Sequence, residues 1–71
     1  MGRPAENIVT MLKSIRTEAQ ETQGDLAEQI GVSRQTIISI EKGNYVPSVA
    51  LALKLAHHFD TSVEKLFVYE G

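Results

Sequence analysis

Gly31 divides two short amphipathic segments, TQGDLAEQI and VSRQTIISIEK, and leaves the chain little choice of what to do between them. Glycine adopts a positive φ without steric cost, so it ends the first segment as a helix and turns the chain sharply. Ser33 then stands where the N-cap of the next helix belongs. At roughly 100° per residue, a helix from Arg34 to about Lys42 places Thr36, Ile37, Ile40 and Glu41 on one half and Arg34, Gln35, Ile38, Ser39 and Lys42 on the other. The first half closes on the preceding helix through Ala27 and Val32, because two short helices crossing steeply approach only where a side chain is small. The second half is left polar, beside one Ile.

The rest of the chain reads as further short helices, with no internal repeat, low-complexity segment or linker. Between Pro4 and Ala19, the residues Ile8, Met11, Leu12, Ile15 and Ala19 recur at spacings of three and four, which marks the buried face of a first helix with Pro4 in its first turn. Thr10 as the N-cap is the alternative start, and it leaves Ile8 and Val9 extended as a short strand. Thr22, three residues before Asp25, caps the second helix, whose inward face is Leu26, Ala27 and Ile30. Gly43 and Asn44 stop the third, and Pro47 with Ser48 starts a fourth. Because VALALKLAHHF is apolar nearly all round, the fourth helix is expected at the centre, contacted on several sides. Asp60 ends it, since Asp tolerates a left-handed backbone better than most residues. Ser62 caps a last turn, VEKLF, and Phe67-Val68-Tyr69 has strand-like composition.

Seventy-one residues make a single domain, 1–71, at a size where folding removes only roughly 60% of the surface of the unfolded chain. The core must be small. With 42% hydrophobic and 23% charged residues the chain is globular rather than disordered. No apolar run approaches the ~18 residues of a membrane span, and MGRPAEN lacks the apolar stretch of a secretory signal. With no cysteine, disulfides and thiolate metal sites are excluded, and a cytoplasmic location is expected. A formal net charge of −2 argues against indiscriminate coating of nucleic acid, which depends on Lys and Arg neutralising phosphates. Nucleic-acid contact must be local. Glu18, Glu21, Asp25 and Glu28 fall in eleven residues with no Lys or Arg among them, a stretch expected to face away from phosphates.

The outward half of the third helix carries side chains suited to base edges: Arg bonds guanine bidentately, Gln does so to adenine, and Ser uses either. Here the sequence resembles the Cro- and repressor-like (Xre-type) helix-turn-helix regulators, over about residues 8–67. The most specific part is TQGDLAEQIGVSRQTIISIEKGNYVPS, where Gln23, Ala27, Gly31, Val32, Ile37, Ile40, Glu41 and Gly43 fit the family spacing without a gap. The resemblance implies an all-α, five-helix, lambda-repressor-like domain with a helix-turn-helix at 23–42 and a tail at 67–71, which has room for a short C-terminal β-strand. It also implies a DNA partner, with the third helix in the major groove. Arg34, Gln35, Ser39 and Ile38 then face bases, Ile38 touching a thymine methyl, packing against Tyr45 or a partner, or simply exposed. Gln23, Ser33, Thr36, Lys42, Asn44 and Tyr45 contact phosphate, Gln23 with help from the helix dipole. Arg16 and Glu41 match a family ion pair between the first and third helices.

A single domain offers few base contacts, so a homodimer on a palindromic operator is expected, joined through the fifth helix and Leu66, Phe67, Val68 and Tyr69. If Ile8 and Val9 are extended, they pair with that tail as a small sheet. The rival is an antitoxin-like or anti-repressor module that binds another protein, supported by the acidic stretch and an exposed Ile38. An enzyme is not expected: there is no cysteine, no His–carboxylate arrangement on a cleft-forming scaffold and no phosphate-cradling glycine loop. No cofactor and no small-molecule ligand are implied. His57 and His58 point about 100° apart with no third ligand one turn away, so they are read as last-turn residues at a helix C-terminus and not as a metal site. Gly2-Arg3-Pro4 is too short to be identified as a minor-groove arm.

Overall fold

The computed structural model describes residues 7–70. Its elements run β1 (Ile8–Thr10), α1 (Leu12–Glu18), α2 (Gln23–Ile30), α3 (Arg34–Glu41), α4 (Val49–His58), α5 (Val63–Leu66) and β2 (Phe67–Tyr69). The expected five helices are present, together with a two-stranded antiparallel sheet in the register Ile8↔Tyr69, Val9↔Val68 and Thr10↔Phe67. The strand pairing of the two ends is the alternative raised by Thr10. The single long first helix is not what forms: Met11 and Ala19 are exposed, and α1 starts at Leu12, whose N–H reaches Thr10 Oγ1 at 3.3 Å. The reason is local, because Ile-Val-Thr is a β-branched run that favours extended backbone once a partner strand is available. Pro4 and the short end at 2–4 lie outside the described residues.

Helix boundaries follow their caps. Thr22 Oγ1 accepts the N–H of Asp25 at 3.0 Å, Ser33 Oγ that of Thr36 at 3.2 Å, and Ser48 Oγ that of Leu51 at 3.1 Å. Ser62 occupies the same position before α5, but its hydroxyl makes no such bond. Each of the first four helices then ends on a left-handed residue: Gln20, Gly31, Gly43 and Asp60, at φ of 61°, 87°, 77° and 54°. In every case the next N–H turns back to a carbonyl in the last turn: Glu21 to Arg16, Val32 to Ala27, Asn44 to Ser39 and Thr61 to Ala56, at 2.9–3.1 Å. At Gly31 an added Cβ would meet nothing within 4 Å, so glycine is required there by its φ alone.

Six fully buried side chains form the centre: Leu12, Leu26, Ile37, Ile40, Leu55 and Leu66, at least one from each helix. Ala27 is buried beside half-buried Val32, whose N–H bonds the Ala27 carbonyl at 3.0 Å where α2 and α3 meet. The expectation for α4 is corrected. Only Ala52, Leu55 and Ala56 of α4 are buried, while Val49 and Leu53 remain 76% and 57% exposed. A chain this short has too few elements to surround a helix on several sides.

His58 also departs from expectation. It turns back across the fold, with Nε2 2.9 Å from both oxygens of Glu21, and meets Phe59 edge-on at 4.7 Å; His57 stays exposed. The contact ties the end of α4 to the α1–α2 loop. His58→Ala should lower stability by about 1 kcal/mol, a fall of roughly 4–8 °C in Tm for a domain of this size. Thermal unfolding beside His57→Ala, which should change little, checks this.

Candidate nucleic-acid interface

The α2–α3 pair is fixed from behind by a buried polar cluster. Arg16 Nε bonds Glu41 Oε2 at 2.6 Å and Nη2 bonds Oε1 at 3.1 Å, with the two side chains only 9% and 4% exposed. The third guanidinium nitrogen, Nη1, donates to the Glu21 carbonyl at 2.7 Å. The hydrogen bond and charge of Glu41 raise the Arg16 pKa above its ordinary value against the opposing effect of burial. Gln23, first residue of α2, donates its Nε2 to Glu41 Oε1 at 3.1 Å. One carboxylate therefore sets α1, the start of α2 and the end of α3 relative to one another. The ion pair was legible in the sequence; the part of Gln23 in it was not.

With its inner half so held, α3 presents the other half outward. Arg34 and Gln35 are exposed, Ser39 and Ile38 half-buried, and Lys42 and Asn44 exposed at the helix end. Ile38 is thus less open than expected, which removes one support from the protein-binding rival. Gln35 Nε2 lies 3.4 Å from Ser39 Oγ, one turn on. Ser33, Gln35, Thr36, Ser39 and Tyr45 line one shallow hollow of about 270 Å³, so five of the residues singled out from the sequence are brought together. Ser33 Oγ and Thr36 Oγ1 are 3.0 Å apart, and only one can donate to the other, which leaves one hydroxyl hydrogen for an external acceptor. The Gln23 amide likewise has a second N–H to give.

The tail residues separate. Leu66 is 0% exposed and belongs to the core, so it cannot meet a partner; Phe67 packs against that core, and Val68 and Tyr69 remain exposed. The fifth helix is a single short turn and holds β2 in place, with the N–H of Met11 on the Leu66 carbonyl at 2.7 Å. No described helix is long and apolar enough to cross a membrane.

A helix-turn-helix family profile matches residues 12–66. The chain belongs to the helix-turn-helix family. A relative named as an uncharacterised HTH-type transcriptional regulator, from Methanocaldococcus jannaschii, is 54% identical over 59 residues, which is 83% of this chain and 89% of that one. Another of the same description, YgzD of Bacillus subtilis, is 44% identical over 59 residues, again 83% and 89% of the two chains. Among solved structures, a candidate DNA-binding protein from Bacteroides fragilis superposes with a TM-score of 0.77 at 28% identity, over 84% of this chain and 97% of that one. The SOS-response transcriptional repressor LexA from Eubacterium rectale gives a TM-score of 0.71 at 32% identity, over 75% of this chain and 56% of LexA. The helix-turn-helix relatives bear the names of regulators and not of enzymes. The matched span contains α2 and α3, joined at Gly31.

Proposed function

We propose that this helix-turn-helix protein is a sequence-specific transcriptional repressor that binds a palindromic operator as a homodimer, with α3 in the major groove. The observation that carries the proposal is the division of α3: its inner half is pinned by Ile37, Ile40 and Glu41, while Arg34 and Gln35 stand exposed side by side. Arg34 reads guanine and Gln35 adenine. Ser39 sits behind Gln35 and reaches a base edge or steadies the Gln35 amide. Gln23, Ser33, Thr36, Lys42, Asn44 and Tyr45 surround this face and position it on phosphates. The second N–H of Gln23, at the positive end of α2, suits a phosphate oxygen. With so few cations, affinity and specificity require two copies, and a two-fold dimer places its half-sites about one helical turn, roughly 34 Å, apart.

Selection of bound sequences from a random DNA pool tests the reading. The expected result is a palindromic consensus with guanine and adenine at neighbouring positions of each half-site. No enrichment by the folded protein at low salt would overturn it in favour of the protein-binding module.

A further inference from the structure

Arg34 and Gln35 open α3, and each has a neighbour one turn further on, Ile38 behind Arg34 and Ser39 behind Gln35. The second pair is bonded. Gln35 Nε2 donates to Ser39 Oγ at 3.4 Å, in the hollow that both line with Ser33, Thr36 and Tyr45. Gln35 is exposed and Ser39 half-buried, so the glutamine is the outer member of the pair. The hydroxyls of Ser33 and Thr36 are engaged with each other at 3.0 Å, which leaves that of Ser39 to meet the amide.

We propose that Ser39 acts on the operator through Gln35, as a positioning residue that sets which way the Gln35 amide faces, and that it reads no base itself. The inference rests on the operator reading above and narrows it. Position along the helix is the first reason. A recognition helix meets base edges with its N-terminal residues, whereas Ser39 is the sixth of the eight residues of α3, about 6 Å beyond Gln35 along the axis. Reach is the second. The serine oxygen stands one bond beyond Cβ on a half-buried residue, while the glutamine amide extends two carbons further from an exposed one.

The chemistry of the amide supplies the third reason. Its nitrogen carries two hydrogens and its oxygen accepts. One hydrogen held by Ser39 leaves the other, with Oε1, as the donor and acceptor pair that the N7 and N6 of adenine require. The terminal torsion of glutamine is broad, so an unheld amide in water presents donor and acceptor in either order. Ser39 fixes that order before DNA arrives. Ordering of a rotamer-rich side chain is then no longer a cost of binding.

A double-mutant cycle resolved by base pair tests this. Wild type, Ser39→Ala, Gln35→Ala and the double variant are each assayed on the selected duplex and on its single-base-pair substitutions. Ser39→Ala should lower the preference for adenine at the Gln35 position by roughly two- to ten-fold per half-site, the effect of freeing one side chain. It should leave the other base pairs as in the wild type and add nothing in the Gln35→Ala background. Ser39→Thr, which keeps the hydroxyl, should restore the preference. Lost preference at a separate base pair, an effect that persists without Gln35, or uniform weakening at every position would each overturn the proposal. A second measurement needs no DNA: side-chain amide relaxation by NMR should find the Gln35 amide ordered in the wild type and in Ser39→Thr. In Ser39→Ala it should be as mobile as that of Gln29, which is exposed on α2. Equal mobility in the wild type and Ser39→Ala would overturn the positioning role whether or not any DNA is enriched. The two readings therefore fail separately. No enriched sequence beside an amide that Ser39 orders overturns the operator while the link between the two side chains stands, and an enriched palindrome with an amide indifferent to Ser39 overturns the positioning alone.

Discussion

Glu41→Ala is expected to remove a large part of the protein's stability. Glu41 is the acceptor for Arg16 and Gln23 at once, and its side chain is 4% exposed. Removing it strands a guanidinium that is itself almost out of contact with water, a loss of about 3–5 kcal/mol. A domain of 71 residues has about 4–10 kcal/mol in total, so the variant loses roughly a third of it or more. Glu41→Gln should fall between, because it keeps an acceptor for Gln23 while losing the charge opposite Arg16. The informative variant is the double change Glu41→Ala, Arg16→Met. It removes the stranded charge and should recover part of the loss, though not all, since the Glu21 carbonyl and the Gln23 amide still lose their partners. Urea unfolding followed by circular dichroism measures all three. A loss below about 1 kcal/mol in Glu41→Ala would show that the cluster does not hold the helices together.

That cluster also marks the limit of what the sequence discloses. Caps and left-handed stops act within a few residues, so the bounds of α2 and α3 could be read from Thr22, Gly31, Ser33 and Gly43. Family spacing supplied the pairing of Arg16 with Glu41, but nothing in the order of residues places Gln23 beside Glu41 or Glu21 beside His58. Those contacts join positions 18 and 37 apart in the chain and exist only once the helices cross. Gln20 was missed as a helix stop because it is neither glycine nor Asn or Asp; the hydrogen bond from Glu21 to the Arg16 carbonyl offsets its left-handed backbone. The opposite error arose at α4. An apolar circumference suggests burial, yet hydrophobicity says only that a face prefers to leave water, not that this chain has anything to cover it with. The β-branched Ile8-Val9-Thr10 run carried a usable signal for a strand, which the helical spacing of the neighbouring apolar residues masked.

Arg34→Ala, Gln35→Ala should abolish selection for the operator while leaving the fold intact. Both side chains are exposed and neither contributes to the core, so unfolding transitions should match the wild type within about 0.5 kcal/mol. Each lost base contact costs about 1–3 kcal/mol of discrimination, and a palindrome presents every contact twice. Losing even one of them from both half-sites lowers affinity for the selected site by roughly thirty-fold to more than ten-thousand-fold. Binding to unrelated DNA should fall far less, by no more than the contribution of one guanidinium per copy. Lys42→Ala provides the contrast. Positioned at the end of α3, it is expected to weaken selected and unrelated sequences alike and to make the salt dependence of binding shallower. Fluorescence anisotropy on the selected duplex and on a scrambled one, at two salt concentrations, separates these patterns. A double variant that recovers the wild-type consensus would remove α3 as the reader, and the assignment of Arg34 and Gln35 with it.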